Sequence, residues 1–453
     1  MQRKKTANFS TTHIIMLSFL LVIAIGTALL MLPISRLEGQ QVSFIDTLFT
    51  ATSAVCVTGL LTCPAVTTWS VFGQAVILIL IQIGGLGFIT ISSWILIMMH
   101  KRMNIRSRML VQDSFNLNGL SGIVRFTKKV IVGTFIIEAI GALLYMTVFV
   151  PEFGAKGIWI SVFTSVSAFC NAGIDIISDS SLCSYSLNPI INFVTCALIV
   201  LGGIGFIVWW DILNTVQKVK IKGMRAFREL TLHTKIVLFA TAILIFRGMI
   251  LFFIFEQDNP QTIGNMSLGN KLMASFFQSV TTRTAGFATI PQENFTNASA
   301  AVSLLLMFIG GSPAGTAGGI KTITVAVVFA TAFATIRGHK DVVLFGRTVN
   351  KQAVGKSASV ICMSFLIMTT STILLAAVTE ADMLAVMYET ISATATVGLT
   401  RNLTGSLNSA GKLIIIATMY LGRVGPISLA VAFNTRKEKQ NIITYPTEDI
   451  SVG

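Results

Sequence analysis

The tetrapeptide Cys56-Val57-Thr58-Gly59 is the first of four related loops spread evenly along the chain. The other three are Cys170-Asn171-Ala172-Gly173, Arg283-Thr284-Ala285-Gly286 and Ala395-Thr396-Val397-Gly398. The four glycines lie 114, 113 and 112 residues apart. Ten positions before each glycine stands an aromatic residue: Phe49, Phe163, Phe276 and Tyr388. A second glycine-containing motif follows at Gly84, Gly202, Gly310 and Gly422. Such a fixed period indicates four copies of one unit.

The composition indicates a membrane protein. Of the 453 residues, 53% are hydrophobic and only 11% are charged, whereas soluble domains are about a quarter charged. A helix needs about 20 mostly apolar residues to span a bilayer. Eight stretches meet this requirement, two in each repeat: 13–33, 71–99, 130–150, 189–208, 236–255, 300–307 continued by 325–336, 358–378 and 413–433. A cleaved signal peptide is the alternative for the first stretch, which is long for that role.

A shorter apolar run lies between the two spans of each repeat, as at 44–55 and 158–169. Runs of this length are too short to cross a bilayer and favour re-entrant pore helices. The predicted fold is an all-α polytopic membrane protein with eight transmembrane helices and four re-entrant loops. These form four parallel repeats around a pseudo-fourfold pore. The predicted boundaries are 1–110, 111–225, 226–345 and 346–453, the last including a C-terminal tail.

The net charge of +14 follows membrane topology and does not indicate nucleic-acid binding. Of 33 lysines and arginines, 24 lie at the two ends and in the three connections between repeats: 3–5, 101–129, 218–235, 337–356 and 436–439. Basic loops of this kind remain cytoplasmic. We therefore predict a multi-pass protein of the cell membrane with both termini cytoplasmic. The same loops are a candidate surface for anionic lipids or a partner protein.

The four loops contain the chemistry of a cation filter. A cation that loses its hydration shell needs replacement oxygens, and backbone carbonyls supply them in an extended loop. Glycine permits the positive φ that such a loop requires. The negative end of each pore helix adds attraction for the cation. All sixteen residues quoted above are therefore predicted to form the filter, with K⁺ as the transported ion.

These loops, with their four glycines, clearly resemble the TrkH/KtrB/HKT superfamily of potassium transporters, over residues 14 to about 433. The absence of an extra helix pair before the first repeat resembles the KtrB type. The resemblance implies a homodimer with one pore per protomer and a cytosolic ring of nucleotide-binding regulatory subunits. It also implies that Gly59 favours potassium, since a serine there accompanies sodium preference. The loops are not identical, so the fourfold symmetry is approximate.

Two other functional classes are weighed against a pore. An enzyme is not expected, because all four histidines lie near cytoplasmic ends and no paired intramembrane carboxylates occur. An alternating-access cation carrier or a sodium/potassium symporter is the closer alternative. Such carriers are typically built from inverted repeats, whereas the repeats here are parallel. The sequence leaves open whether sodium is also required or transported.

The second span of repeat three is interrupted. It contains five glycines and a proline within ten residues, which is incompatible with a helix. Irregular backbone at membrane depth survives only where it is buried or lines a wet cavity. We predict a gate formed by Gly310, Gly311, Ser312, Pro313, Ala314, Gly315, Thr316, Ala317, Gly318, Gly319 and Lys321. A packing kink without gating is the alternative. A phosphate-binding loop at 315–322 is disfavoured because Ile320 replaces its second glycine.

Isolated polar residues occur within the apolar spans. Arg423 lies in the middle of the last span, and we predict that it points into the pore below the filter and repels cations. Glu138 and Arg247 lie in first spans and are predicted to face protein, with a dimer contact as one setting. The six cysteines form no metal motif. A disulfide between Cys63 and Cys183 is left open.

Overall fold

The computed structural model describes residues 11–99, 105–115 and 122–425, together with Glu448. Residues 11–115 form α1 (Thr11–Leu30), α2 (Phe44–Cys56), α3 (Ala65–Thr68), α4 (Val71–Leu86), α5 (Phe88–Met98) and α6 (Ile105–Phe115). Residues 122–222 form α7 (Ile123–Phe153), α8 (Ala155–Cys170), α9 (Pro189–Gly203) and α10 (Phe206–Lys222). The third repeat contains α11 (Leu232–Glu256), α12 (Leu268–Thr281), α13 (Asn297–Phe308) and α14 (Thr322–Ile336). A hairpin of β1 (Val343–Leu344) and β2 (Arg347–Thr348) precedes α15 (Lys351–Val378), α16 (Met383–Ala395) and α17 (Ser409–Val424).

The first helix of each repeat is the long one. Among the described residues, α1, α7, α11 and α15 are each long and apolar enough to cross a membrane alone. Helices α9 and α10 reach that length only as a pair, and they are bent by 97° at the break between them. The other apolar helices are shorter than a bilayer, including α2, α8 and α13.

The second helices of repeats one and two are interrupted, which the sequence did not predict; beyond Gly425, the span predicted for repeat four lies outside the described residues. The apolar runs there were expected to be continuous. Instead α4 ends before Gly87, with φ of +82°, and α9 and α10 are separated at Gly205, with φ of +93°. Helix α17 ends before Gly425, with φ of +89°. Only glycine adopts this left-handed region without strain. Repeat three is therefore distinguished by the greater length of its interruption.

The short helices end in a repeated way. The residues that cap the C-termini of α2, α8 and α16 are Val57, Asn171 and Thr396, and each has a left-handed φ, between +52° and +59°. Left-handed φ costs a non-glycine residue about 1–2 kcal/mol, so its recurrence needs support from the surroundings. Helix α12 ends earlier, at Thr281, and its left-handed residue is Thr284.

The repeats form a closed ring. The second helix of each repeat packs on the short helix of the next: α4 on α8, α9 on α12, α13 on α16, and α17 back on α2. The aromatic residues ten positions before the loop glycines lie in this ring. Phe49, Phe163 and Tyr388 are fully buried, while Phe276 is half-buried. The short helices therefore occupy the centre, with the long helices outside them.

One seam of the ring has no covalent connection, because the chain begins in repeat one and ends in repeat four. An ion pair crosses this seam, with Lys412 Nζ donating to Asp46 Oδ1 at 2.7 Å. Neutral hydrogen bonds cross two other interfaces. Trp159 donates to Gln74 at 2.9 Å between repeats one and two. Tyr388 donates to Gln292 at 2.8 Å between repeats three and four.

We expect Lys412→Met to lower the thermal unfolding midpoint of the detergent-purified protein. Burial raises the pKa of Asp46, but hydrogen bonds from Lys412, Ser43 and Thr62 outweigh burial and hold this pKa below its usual value of 3.8. At pH values above 3.8 the charged carboxylate of Asp46 therefore stabilises the folded protein, by roughly 1 kcal/mol for a partly screened pair. This stabilisation is lost as the pH falls through the lowered pKa. The destabilisation should therefore be full at pH 7. Lys156→Met, at an exposed position on α8, is the control.

Candidate ion-conduction site

The four loop glycines meet at one place. A β-carbon built on Gly59 would lie 3.3 Å from the Cα atom of Gly173 and 3.2 Å from that of Gly398. A β-carbon on Gly286 would lie 3.1 Å from the Cα atom of Gly173 and 3.2 Å from that of Gly398. Residues that are more than 300 positions apart in the chain are thereby brought into contact.

Backbone carbonyls complete this ring in chain order. A β-carbon on Gly59 would lie 2.5 Å from the carbonyl oxygen of Ala172 in the next loop. Gly173 faces the carbonyl of Ala285 in the same way, at 2.6 Å, and Gly286 that of Val397, at 2.5 Å. Gly398 closes the ring against the carbonyl of Thr58. Because these approaches leave no room for a side chain, glycine is required at all four positions.

The loop dihedrals follow one pattern. In each loop φ is positive two positions before the glycine, at Val57, Asn171, Thr284 and Thr396, and again at the glycine itself. The residue between them keeps a negative φ. Such an alternation lets successive carbonyls turn toward one side of the loop, as coordination of an ion by backbone oxygens requires.

Cys170, the first residue of the second loop, packs against repeat one. Both Cys56 and Cys170 are fully buried. A β-carbon on Gly85 of α4 would lie 2.7 Å from Cys170 Sγ. The Cys170 thiol donates to Gln82 Oε1 at 3.4 Å, and the Gln82 amide donates to Glu138 at 3.3 Å. Glu138 therefore faces protein, as predicted.

Arg283 breaks the symmetry of this layer. It is 6% exposed and borders a small cavity with Gly203 and Gly311, and its Nε atom has no partner among the described residues. Arg247, in contrast, is exposed on α11, so it does not face protein within this chain, and the dimer contact stays a prediction. Cys63 and Cys183 are free thiols, so the disulfide left open by the sequence is absent.

Residues 309–321 form the predicted irregular segment between α13 and α14, here called the gate loop. The loop folds back on itself, with Gly311 N donating to Gly318 O at 3.3 Å and Thr322 N donating to Gly311 O at 3.0 Å. A β-carbon on Gly318 would overlap the hydroxyl of Thr396, and one on Gly319 would lie 3.4 Å from the carbonyl oxygen of Ala395. The loop therefore lies against the loop of repeat four that is predicted to belong to the filter.

The gate loop is also bound to the break in repeat two. Ser312 N donates to Gly203 O at 2.8 Å, and Thr316 N donates to Gly202 O at 3.1 Å. In the other direction, Phe206 N donates to Ala314 O at 2.8 Å. The free backbone groups at the ends of α9 and α10 are thus satisfied by the loop, which explains how an interrupted helix is tolerated here.

Arg423 spans the space below the loops. Its guanidinium donates to Thr316 O at 2.8 Å and to Gly84 O at 2.5 Å. Gly84 belongs to repeat one and Thr316 to repeat three, so the side chain joins the two repeats that flank its own. Lys321 adds a second cation to the loop, with Nζ donating to Ala317 O at 2.6 Å. The sequence did not predict the partners of Arg423, because they are backbone carbonyls and carry no sequence signal; its place in the pore stays a prediction.

Sequence reasoning missed one buried acid behind the filter. Glu389 in α16 is fully buried, and its carboxylate accepts hydrogen bonds from Thr400 at 2.6 Å and from Thr404 at 2.5 Å. An acidic residue in the middle of a short apolar helix was the available signal. The two hydroxyls tie the segment that leaves the fourth loop to its own pore helix.

Comparison with known proteins gives the family. The family model described as the cation transport protein TrkH matches residues 2–445. The chain belongs to the TrkH family. The Ktr system potassium uptake protein B of Bacillus subtilis is 39% identical over 450 residues, covering 99% of this chain and 98% of that protein. The potassium/sodium uptake protein NtpJ of Enterococcus hirae is 37% identical over 460 residues, covering 100% of this chain and 99% of that protein.

A solved structure has the same fold. The crystal structure of the potassium transporter TrkH from Vibrio parahaemolyticus superimposes with a TM-score of 0.74 at 16% sequence identity, covering 96% of this chain and 87% of that one. The resemblance predicted from the four loops is confirmed, as is the prediction that this TrkH-family chain is a transporter and not an enzyme.

Proposed function

We propose that this chain conducts K⁺ into the cell through a pore whose filter consists of the four loops ending at Gly59, Gly173, Gly286 and Gly398. The ring of glycines and carbonyls carries this proposal, because it places backbone oxygens from four repeats around one point. The potassium uptake relative from B. subtilis, similar over its full length, supports K⁺ as the principal ion.

Sodium is the second ion to consider, because the E. hirae relative is named a potassium/sodium uptake protein. We propose K⁺ as the preferred ion because Gly59 leaves the first loop without a side chain at the ring. Na⁺ then enters as a competing or accompanying ion. An alternating-access carrier or symporter is the alternative, and the parallel order of the repeats favours a pore.

The gate is assigned to the gate loop, Lys321 and Arg423. The loop lies directly beside the fourth filter loop, and Arg423, in the second helix of the same repeat, donates to the Thr316 carbonyl of the gate loop. Two cations placed on the path below the filter oppose the passage of K⁺ by charge repulsion. Movement of the loop out of the break between α9 and α10 would clear the path.

The larger assembly follows from family and topology. We propose four repeats with the boundaries given above, eight membrane crossings, and both termini cytoplasmic in the cell membrane. We further propose a homodimer controlled by a cytosolic nucleotide-binding ring; the word "system" in the name of the B. subtilis relative supports the participation of further subunits. The cytosolic regulatory ring would bind the basic loops at 101–129, 218–235 and 337–356 and the C-terminal tail.

Cation uptake by potassium-starved cells tests this function. Cells that lack their own K⁺ uptake systems and express this chain with its candidate regulatory subunit should regain growth at low K⁺ and accumulate K⁺ faster than Na⁺. The chain alone should transport without control by nucleotides. Failure to move either cation from membranes that contain the folded protein would contradict the proposal, as would full nucleotide control in the purified chain alone.

A further inference from the structure

In every repeat a side-chain hydroxyl forms a hydrogen bond with the backbone behind the filter, but the backbone group that it binds differs between repeats. Six residues before the filter glycine stand Ser53, Ser167, Val280 and Ser392. In repeat one, the Ser53 hydroxyl accepts the N–H of Gly59 at 3.0 Å. In repeat four, the Ser392 hydroxyl accepts the N–H of Gly398, also at 3.0 Å. The two loops that meet at the unconnected seam are therefore held identically.

In repeats two and three the hydroxyl binds the residue that follows the filter glycine. Ser167 accepts the N–H of Ile174 at 3.1 Å and donates to its carbonyl at 2.5 Å. In repeat three Val280 has no hydroxyl, and Thr281 donates to the carbonyl of Phe287 at 2.6 Å. Among the described hydrogen bonds, no hydroxyl holds the N–H of Gly173 or Gly286.

The φ angles of the four filter glycines fall into the same two groups of repeats. Gly59 and Gly398 have φ of +97° and +96°, whereas Gly173 has +63° and Gly286 has +81°. The two glycines whose N–H groups are held by serine thus share one conformation. The filter consists of two similar loops from repeats one and four and two different loops from repeats two and three.

Because the peptide group is planar, the hydrogen bond from the Gly59 N–H to Ser53 also orients a carbonyl oxygen of the filter. The N–H of Gly59 and the carbonyl of Thr58 belong to one planar trans peptide and point in opposite directions. A hydroxyl that holds the N–H from behind therefore directs the carbonyl toward the ring. The same holds for Ser392 and the carbonyl of Val397, which faces Gly286 in the ring.

We propose that Ser53 and Ser392 are positioning residues that determine ion specificity by fixing the Thr58 and Val397 carbonyls at the filter. This inference rests on the proposed function of the loops as a cation filter. It assigns selectivity to two side chains that never touch the ion. Since Ser167 holds a different peptide, its loss should disturb selectivity less.

The test measures the K⁺/Na⁺ flux ratio of the full chain in liposomes for Ser53→Ala and Ser392→Ala. Each variant is expected to lower the ratio about fivefold, the effect of losing one typical hydrogen bond, and the double variant is expected to lower it further. The matched controls are Ser165→Ala and Ser279→Ala, also fully buried in pore helices. Their hydroxyls bind first-helix carbonyls instead, those of Glu138 at 2.6 Å and Ile245 at 2.7 Å.

The outcomes separate this inference from the proposed function. A control variant that lowers the ratio as much as Ser53→Ala would overturn the inference, because general packing of the pore helix would then explain the effect. An unchanged ratio in Ser53→Ala and Ser392→Ala, alongside a changed ratio in Gly59→Ser, would overturn the inference and leave the filter in place. If Gly59→Ser also left the ratio unchanged, the filter assignment itself would fail.

Discussion

Replacing Gly59 with serine is expected to lower the preference for K⁺ over Na⁺ by about tenfold or more, equivalent to at least roughly 1.4 kcal/mol of discrimination. The glycine has φ of +97°, which strains any residue with a side chain, and a β-carbon would lie only 2.5 Å from the Ala172 carbonyl oxygen. That carbonyl must move, and the ring of oxygens is no longer spaced for K⁺. Parallel measurements of K⁺ and Na⁺ uptake give the ratio.

Gly39→Ser is the matched control for this substitution. Gly39 also has positive φ, at +82°, but it is exposed and a β-carbon there would meet no atom within 4 Å. It therefore reproduces the backbone strain without touching the loops. Equal K⁺/Na⁺ ratios for Gly59→Ser and Gly39→Ser, in protein of equal abundance and stability, would remove the first loop from the filter.

The centre of the structure could be predicted from sequence because it is repeated. Four glycines in register, each after a short apolar run, led to the loops around Gly59 and Gly398. The structure brings these loops together. The irregular segment at 309–321 was equally visible, since its glycines and proline exclude a helix. In the gate loop the local sequence itself excludes a helix, whereas at the four glycines the repetition carries the signal.

The remaining breaks were not visible, because a single glycine in an apolar run is a weak signal. Gly87, Gly205 and Gly425 all lie where the hydrophobic pattern continues unbroken. At Gly205 the surroundings come from another repeat, since a β-carbon there would overlap the carbonyl of Pro313 in the gate loop. The partners of Arg423 were hidden for a related reason, since a carbonyl acceptor depends on backbone position and not on residue type.

The contacts of the gate loop connect these breaks to gating. The loop binds the free backbone groups at Gly202 and Gly203, so it can leave its place only if the interrupted helix pair α9 and α10 finds other partners. Movement of α10, the second half of the pair, is therefore expected to be coupled to movement of the loop. Arg423 binds the same loop from repeat four. Its substitution therefore tests this arrangement directly.

Arg423→Ala is expected to raise the basal K⁺ flux of the chain, without any regulatory subunit, by about tenfold or more. The substitution removes two hydrogen bonds from a charged donor, each worth roughly 1.5–3 kcal/mol, and one of them holds the gate loop at Thr316. It also removes a positive charge from the path below the filter. Efflux of K⁺ from loaded liposomes that contain the purified chain measures the basal rate, and the K⁺/Na⁺ ratio should stay unchanged.

Arg401→Ala controls for the loss of an arginine that binds two carbonyls. Arg401 donates to Gln292 O at 3.1 Å and to Glu293 O at 3.0 Å, and it belongs to the segment that follows the fourth filter loop, away from the gate loop. Its loss should lower stability without opening the path. Reduced flux in well-folded Arg423→Ala protein would mean that Arg423 supports an open pore. Equal flux increases in both variants would mean that loosened packing between repeats, and not release of the loop, causes the leak.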